Sequence, residues 1–257
     1  MTTSPVTVQL IGGPTALIEI GGMRILTDPT FSPPGPQPSG ASTLTKLVGP
    51  ARTADDVGVV DAVLLSHDQH ADNLDEAGRA YLPSVPVVVT TQAAAERLGG
   101  TAVGLGPWTH TELSRPDGGV LRVVAVPAIH GPDGMEASSG PVIGFVLHGD
   151  GLPTTYVSGD NASLRVVEEV AHHLGPVEIA VLFGGGARVA RLDAYLTLTS
   201  PQVARAAGIL GTRAVVPVHS EGWAHFTQSQ ASLAAAFESE GLSDRLVLLA
   251  PGESRTL

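Results

Sequence analysis

The stretch Ser66-His67-Asp68-Gln69-His70-Ala71-Asp72-Asn73 sets two imidazoles and two carboxylates within six residues. Nitrogen and oxygen donors at this density, with no sulfur among them, suit zinc, iron or manganese. Three later points have the same character: Ile129-His130-Gly131, Ser158-Gly159-Asp160-Asn161 and Val218-His219-Ser220. Each follows an apolar run. The pool of candidate ligands is therefore His67, Asp68, His70, Asp72, His130, Asp160 and His219. A lone histidine is more often structural than ligating. The recurrence of histidines and acids directly after apolar runs makes a metal centre gathered from several strand ends the better reading.

The elements that must carry these residues follow from the pattern. Val59 to Leu65 reads as a buried strand feeding the first cluster, with a helix over 74–82 behind it. Strands are expected at 6–10, 15–20 and 23–27, an antiparallel start separated by Gly-rich turns. Asp28 follows the third of them, as a turn cap or as a carboxylate supporting a metal-bound histidine. Residues 31–57 hold Phe31-Ser32-Pro33-Pro34-Gly35-Pro36 and read as an excursion over one rim, with a short helix around 42–48. This excursion is a pocket wall or an inert surface loop.

Further strands are expected at 85–90, 103–105, 108–113, 121–126, 142–148, 154–157, 177–182, 214–218 and 246–249. Helices are expected at 92–98, 162–174, 200–210 with Ser200 as N-cap, and 229–240. Two packed sheets with helices outside accommodate this order. Gly131 to Gly140 is a polar loop containing Asp133 and Glu136, and Gly184-Gly185-Gly186 reads as a tight turn or a close backbone approach to the metal edge. His110, His148, His172 and His173 are weaker candidates. His225, in Gly222-Trp223-Ala224-His225-Phe226, lines the pocket as a hydrogen-bond donor or caps the packing of its aromatic neighbours.

The 257 residues are 43% hydrophobic and 15% charged, which fits one globular domain over 1–257 and excludes a disordered chain. Net charge is −11, Lys46 is the single lysine, and no basic stripe exists to meet a nucleic-acid backbone. The absence of cysteine excludes disulfides, thiolate ligands and a cysteine nucleophile. The N-terminus lacks a signal-peptide pattern, and no apolar run reaches the roughly 18 residues of a membrane span, so a cytoplasmic protein with no membrane partner is expected. Apolar segments in 31–57 and 187–198 would support a homo-oligomer.

Thr15-Ala16-Leu17-Ile18-Glu19-Ile20-Gly21-Gly22 with Ile25-Leu26-Thr27-Asp28-Pro29, the histidine-rich loop, Pro127-Ala128-Ile129-His130-Gly131, Ser158-Gly159-Asp160 and Pro217-Val218-His219 together resemble the metallo-beta-lactamase superfamily. The likeness is strongest to its metal-dependent hydrolases related to ascorbate-phosphate lactonases. The resemblance implies an α/β fold, a four-layer αβ/βα sandwich with the metal site at one edge of the sheets. Relatives carry two histidines one residue apart, then a residue, an aspartate and a third histidine. Here one register gives Asp68, His70, Asp72 and Asn73 those positions, and another gives His67 the first and Gln69 the second. The preferred assignment has His67 reach in through a bulged loop, followed by His70 and Asp72, with Asp68 in support or as an alternative oxygen ligand.

On that assignment one metal takes His67, His70, His130 and a bridging Asp160, and a second takes Asp72, Asp160 and His219. Asn73 replaces an imidazole, so the second metal is expected to bind more weakly, or the site to be mononuclear. One or two Zn2+ ions are expected, with Mn2+ or Fe2+ as alternatives. The implied activity is hydrolysis of a small ester, lactone, amide or phosphodiester by a metal-activated water. Asp72 orients that water or accepts its proton, and His225 stabilises developing charge. Glu221 is a weaker proton handler, and Arg188 or Arg191 would bind a single phosphate. The alternative is a catalytically degenerate metal- or ligand-binding protein on the same fold.

Overall fold

The computed structural model describes residues 4–257 apart from 41, 133, 135–139 and 191. Asp133, Glu136 and Arg191, singled out above, lie outside the described residues. The strands are β1 (Val6–Gly12), β2 (Thr15–Ile20), β3 (Met23–Thr27), β4 (Gly35–Ser39), β5 (Ser42–Lys46), β6 (Ala62–Leu64), β7 (Val88–Thr91) and β8 (Ala102–Leu105). They continue as β9 (His110–Ser114), β10 (Val120–Pro127), β11 (Ile143–His148), β12 (Thr155–Val157), β13 (Ile179–Phe183), β14 (Ala214–Val218) and β15 (Ser254–Thr256). The helices are α1 (Ala54–Val57), α2 (Glu76–Tyr81), α3 (Gln92–Leu98), α4 (Leu164–Leu174), α5 (Ser200–Leu210) and α6 (Gln230–Ser239).

One sheet has the order β15-β1-β2-β3-β6-β7-β8 and the other β14-β13-β12-β11-β10-β9. Both pack against each other and are covered by helices outside, which explains why the inner strands are apolar on both faces. In β13, Ile179, Val181 and Phe183 enter the core between the sheets, while Ala180 and Leu182 enter the core shared with Val167 of α4, Val203 of α5 and Phe237 of α6. In β6, Ala62 and Leu64 face inward, and Val63 packs outward with Val57, Leu74 and Leu82. The result is the four-layer αβ/βα sandwich.

Parallel pairing fixes the site. β3 pairs in parallel with β6 and β6 with β7, while β12 pairs in parallel with β13 and β13 with β14. The carboxyl ends of these strands therefore lie along one edge of each sheet, and the chain leaving them carries Asp28, His67, Asp160 and His219.

Four expectations are corrected. The segment expected as a helix around 42–48 is strand β5, paired antiparallel with β4 in a two-stranded hairpin. Pro36 and Pro38 stand opposite Thr45 and Thr43, an isolated pair in which missing N–H groups disrupt no larger ladder. The excursion is thus a wall with regular structure, docked by Ala224 N donating to Thr45 O at 3.0 Å and Leu47 N to Gly222 O at 2.7 Å. Lys46 holds it from beneath: its Nζ donates to Thr30 O at 2.9 Å and to Asp75 Oδ2 at 3.0 Å, with the ion pair almost wholly buried.

The run 246–249 forms only a single bridge, Val215 to Leu246, and the last strand is instead β15, too short and polar to signal itself. The N-cap of α5 is Thr199 and not Ser200, because the hydroxyl three residues before Gln202 closes the capping box. The helix expected over 74–82 starts later, at Glu76, because the Asp75 side chain caps it by accepting from Gly78 N. Among the described residues no helix is long and apolar enough to cross a membrane.

Candidate metal centre

Asp28 and Ser66 leave neighbouring parallel strands side by side. Asp28 Oδ1 accepts from Ser66 N at 2.6 Å, and Oδ2 accepts from Ser66 Oγ at 2.6 Å. The serine spends its one hydroxyl proton there. Its oxygen, 2.9 Å from His67 Nδ1, must then accept from that nitrogen. His67 Nδ1 is the protonated nitrogen, and Nε2 points inward with a lone pair. His130 is fixed in the same sense, because its Nδ1 donates to Leu196 O at 2.8 Å.

The inward nitrogens meet at His70. His67 Nε2 lies 2.9 Å from His70 Nδ1, and His130 Nε2 lies 3.2 Å from the same atom. One N–H at His70 satisfies at most one of the two lone pairs well, whereas a cation satisfies all three nitrogens. Burial, then the neighbouring His70 and His130, holds His67 well below the usual histidine range, and burial lowers His130. Both are therefore neutral, as ligands must be.

A second group lies alongside. Ligand atoms of Asp72, Asp160 and His219 all fall within 4.8 Å of one another, as do those of His67, His70 and His130. His219 Nε2 is 3.2 Å from Asp72 Oδ2 and 3.5 Å from Asp160 Oδ1, and neither ring nitrogen has an aligned hydrogen bond. Phe183 stacks on its ring at 5.3 Å between centroids, so the ring is held by packing. His219 adopts φ 55, and a Cβ at Gly185 would stand 1.9 Å from its carbonyl oxygen. Gly185 thus serves the close backbone approach.

Asp160 Oδ2 lies 3.5 Å from His130 Nδ1, the outer nitrogen of that ring, and has no hydrogen-bond partner. Burial pushes Asp160 up to about 7, opposed by His219 and reinforced by Asp72 and Asp28. Burial also acts to raise Asp72, but His219 and His225 outweigh it and hold that carboxyl well below the usual range. An orphaned buried carboxylate oxygen, an orphaned imidazole and three convergent ring nitrogens form a metal-binding site of histidine and aspartate donors.

Other candidates fall outside this cluster. Asp68 turns away, accepting from Arg97 Nε at 3.1 Å with Arg79 3.7 Å off. Gln69 packs its side-chain amide against Gly140, where a Cβ would stand 2.3 Å from Nε2. Glu221 Oε1 accepts from Gly13 N at 2.6 Å and is committed to that turn. His110, His172 and His173 are exposed, and His173 stacks on Trp108 at 4.4 Å. His225 does reach the site: its Nε2 is 2.9 Å from Asp72 Oδ2, and its buried Nδ1 has no partner.

Two contributors were not singled out from sequence. Ser66 had a usable signal, a hydroxyl between a strand end and a candidate ligand. The Leu196 carbonyl had none, because any residue supplies one.

Two facing sheets, helices outside, and histidine and aspartate donors along one edge define a metallo-beta-lactamase-type protein. Residues 23–220 match the family model described as beta-lactamase superfamily domain, and the chain belongs to that family. It is 29% identical over 259 residues to a UPF0173 metal-dependent hydrolase of Pyrococcus abyssi, covering 98% of this chain and 100% of the relative. Against the corresponding Pyrococcus furiosus protein it is 29% identical over 210 residues, covering 79% and 84%. The fold is similar to an isothiocyanate hydrolase from Delia radicum gut bacteria, with TM-score 0.80, 24% identity and coverage of 97% and 98%. It is also similar to a metallo hydrolase from Ignicoccus hospitalis, with TM-score 0.74, 21% identity and 99% of each chain covered.

Proposed function

We propose that this chain is a metal-dependent hydrolase of small molecules, with a first cation held by His67, His70, His130 and Asp160 and a weaker second one by Asp72, Asp160 and His219. The observation that carries this is the direction of His67 Nε2 and His130 Nε2. Their outer nitrogens are both committed, so two lone pairs converge on His70. The three-nitrogen group favours zinc, and the more oxygen-rich second group also accepts manganese or iron. A bound divalent cation supplies Lewis acidity and lowers the pKa of a water to about 7.

The chain's own residues do the rest. Asp72, held low in pKa by His219 and His225, stays ionised and orients the attacking water as a hydrogen-bond acceptor. His225 donates through Nε2 to Asp72 and lines the cavity together with His70 and His130. This placement makes His225 a positioning residue that orients Asp72 at the edge of the cavity. The ascorbate-phosphate lactonase reading is less favoured, because among the described residues no arginine or lysine lines the cavity.

Asn73 favours one competing reading, a degenerate site used for binding. Turnover decides between them. Protein stripped of metal and reloaded with zinc is assayed against esters, lactones and amides, beside His130→Ala. Zinc-dependent turnover lost in the variant supports the hydrolase. Stoichiometric zinc with no turnover of any ester, lactone or amide leaves the binding protein.

A further inference from the structure

The histidines of the two donor groups are aimed in different ways. His67 and His130 are turned by their outer nitrogens, through Ser66 Oγ and Leu196 O. His219 has no such tether. Its ring is fully buried, yet among the described residues neither Nδ1 nor Nε2 has a hydrogen-bond partner. A metal-ligating histidine ordinarily donates its other N–H to a group that fixes the ring. Here the neighbours are Phe183 and Phe226, with centroids 5.3 and 4.2 Å away. Apolar faces confine an imidazole but do not choose which edge points inward. The backbone that carries the ring must therefore set its aim.

That backbone is left-handed, at φ 55, and a side-chain-bearing residue stays in this region only where its surroundings over-determine it. Gly185 presses on the His219 carbonyl from one side. On the other, His219 N donates to Gly13 O at 2.7 Å, and Gly13 N donates to Glu221 Oε1 at 2.6 Å. The N–H and C=O of one glycine are thus gripped by two residues that stand two apart in the chain. Trp223 covers the same glycine, since a Cβ on Gly13 would stand 3.0 Å from its Nε1. Gly12 and Gly13, at φ 146 and 57, make the β1–β2 turn permissive, so a carboxylate that pins it has something to restrain. A bond from an N–H to a carboxylate is among the stronger ones available for this.

We propose that Glu221 is a positioning residue for His219. Its carboxylate fixes the Gly13 turn, and the carbonyl of that turn holds the His219 backbone in the conformation that sends the imidazole toward Asp72 and Asp160. The proposal rests on the reading of His219 as a ligand of the weaker second cation. On it, the second site depends on Glu221 and the three-histidine site does not.

Glu221→Ala removes the acceptor, and Glu221→Gln keeps an oxygen for the Gly13 N–H. In metal-free protein, exchange of the His219 amide proton is followed by NMR beside the amides of β13. Loss of one charge-assisted hydrogen bond should speed it by at least about tenfold in Glu221→Ala, beyond any change in β13. Glu221→Gln should stay near the wild type. Zinc titration should show the second equivalent weakened by about 10–100-fold in Glu221→Ala, the range for an outer partner of a ligand, with the first equivalent unchanged. Unchanged exchange at His219 overturns the proposal, as does failure of glutamine to restore it. Equal weakening of both zinc classes, or faster exchange with the second class intact, overturns it as well. If the wild type takes up no second zinc, the two-cation reading fails, while selective loss of His219 protection in Glu221→Ala leaves the positioning of His219 standing.

Discussion

Asn73 donates its side-chain amide to Asp28 Oδ2 at 2.9 Å, and the same nitrogen stands 3.2 Å from Asp160 Oδ1. One neutral side chain thus bridges two buried carboxylates. An imidazole at this position offers an inward lone pair, whereas the amide nitrogen offers only protons. Zinc titration of metal-free protein should show a tight first equivalent and a second at least about tenfold weaker. His130→Ala should remove the tight class and His219→Ala the weak one. Two equally tight equivalents in the wild type would refute this account of Asn73.

The chain Asp28–Ser66–His67 sets which nitrogen of His67 is free. Ser66→Ala removes the acceptor for His67 Nδ1–H and one donor to Asp28. Zinc affinity, measured against a competing chelator, should fall by about 10–100-fold. Circular dichroism should show the fold retained. Unchanged affinity would mean that the tautomer is set elsewhere.

Protons and metal compete at the buried carboxyls. Burial pushes Asp160 up to about 7, and burial against hydrogen bonds from Asn73 and Ser66 leaves Asp28 also at about 7. Below that pH a cation held by Asp160 must displace its proton. Zinc affinity should rise with pH by up to about tenfold per unit for each proton displaced, then flatten above about 7. His67 and His130, lowered by burial, are already neutral and add little to this slope.

Folding of the metal-free chain follows the same protons. The raised carboxyls bind protons in the native state that the unfolded state has lost, so their contribution to stability declines as pH rises from 3.8 to about 7. The depressed histidines act oppositely, costing stability as pH falls below 6.5. Chelator competition and urea unfolding across this range check both signs. A flat affinity profile would show that Asp160 carries no proton to be displaced.

The strand ends were legible because apolar runs such as Ile179–Phe183 stop abruptly at polar residues, and a run buried on both faces leaves little room for another reading. His67, His70, Asp72, His130, Asp160 and His219 stand out for that reason. The β4–β5 hairpin was not legible. Pro36 and Pro38 weaken any strand signal, and its stability comes from Asp75, Thr30 and residues 222–224, remote in sequence. Asp68 was ambiguous because its partners, Arg79 and Arg97, lie on helices whose approach only the tertiary fold decides.

Lys46→Met tests that hairpin. The change leaves Asp75 buried, though still bonded to Phe31 N, Ser32 N and Gly78 N. Because those donors remain, the loss should sit near the low end for a broken buried pair, about 3 kcal/mol, read by urea unfolding. A loss under about 0.5 kcal/mol would place Lys46 among ordinary surface substitutions.

The buried Lys46 also decides how the folded protein meets amine-directed reagents. It is the single lysine of the chain and is 4% exposed. Acylating dyes, cross-linkers and amine-coupling surfaces find no accessible ε-amine on the native molecule. Acylation of Lys46 therefore reports opening of the hairpin, giving a chemical clock for the loosening of the wall beside the metal centre.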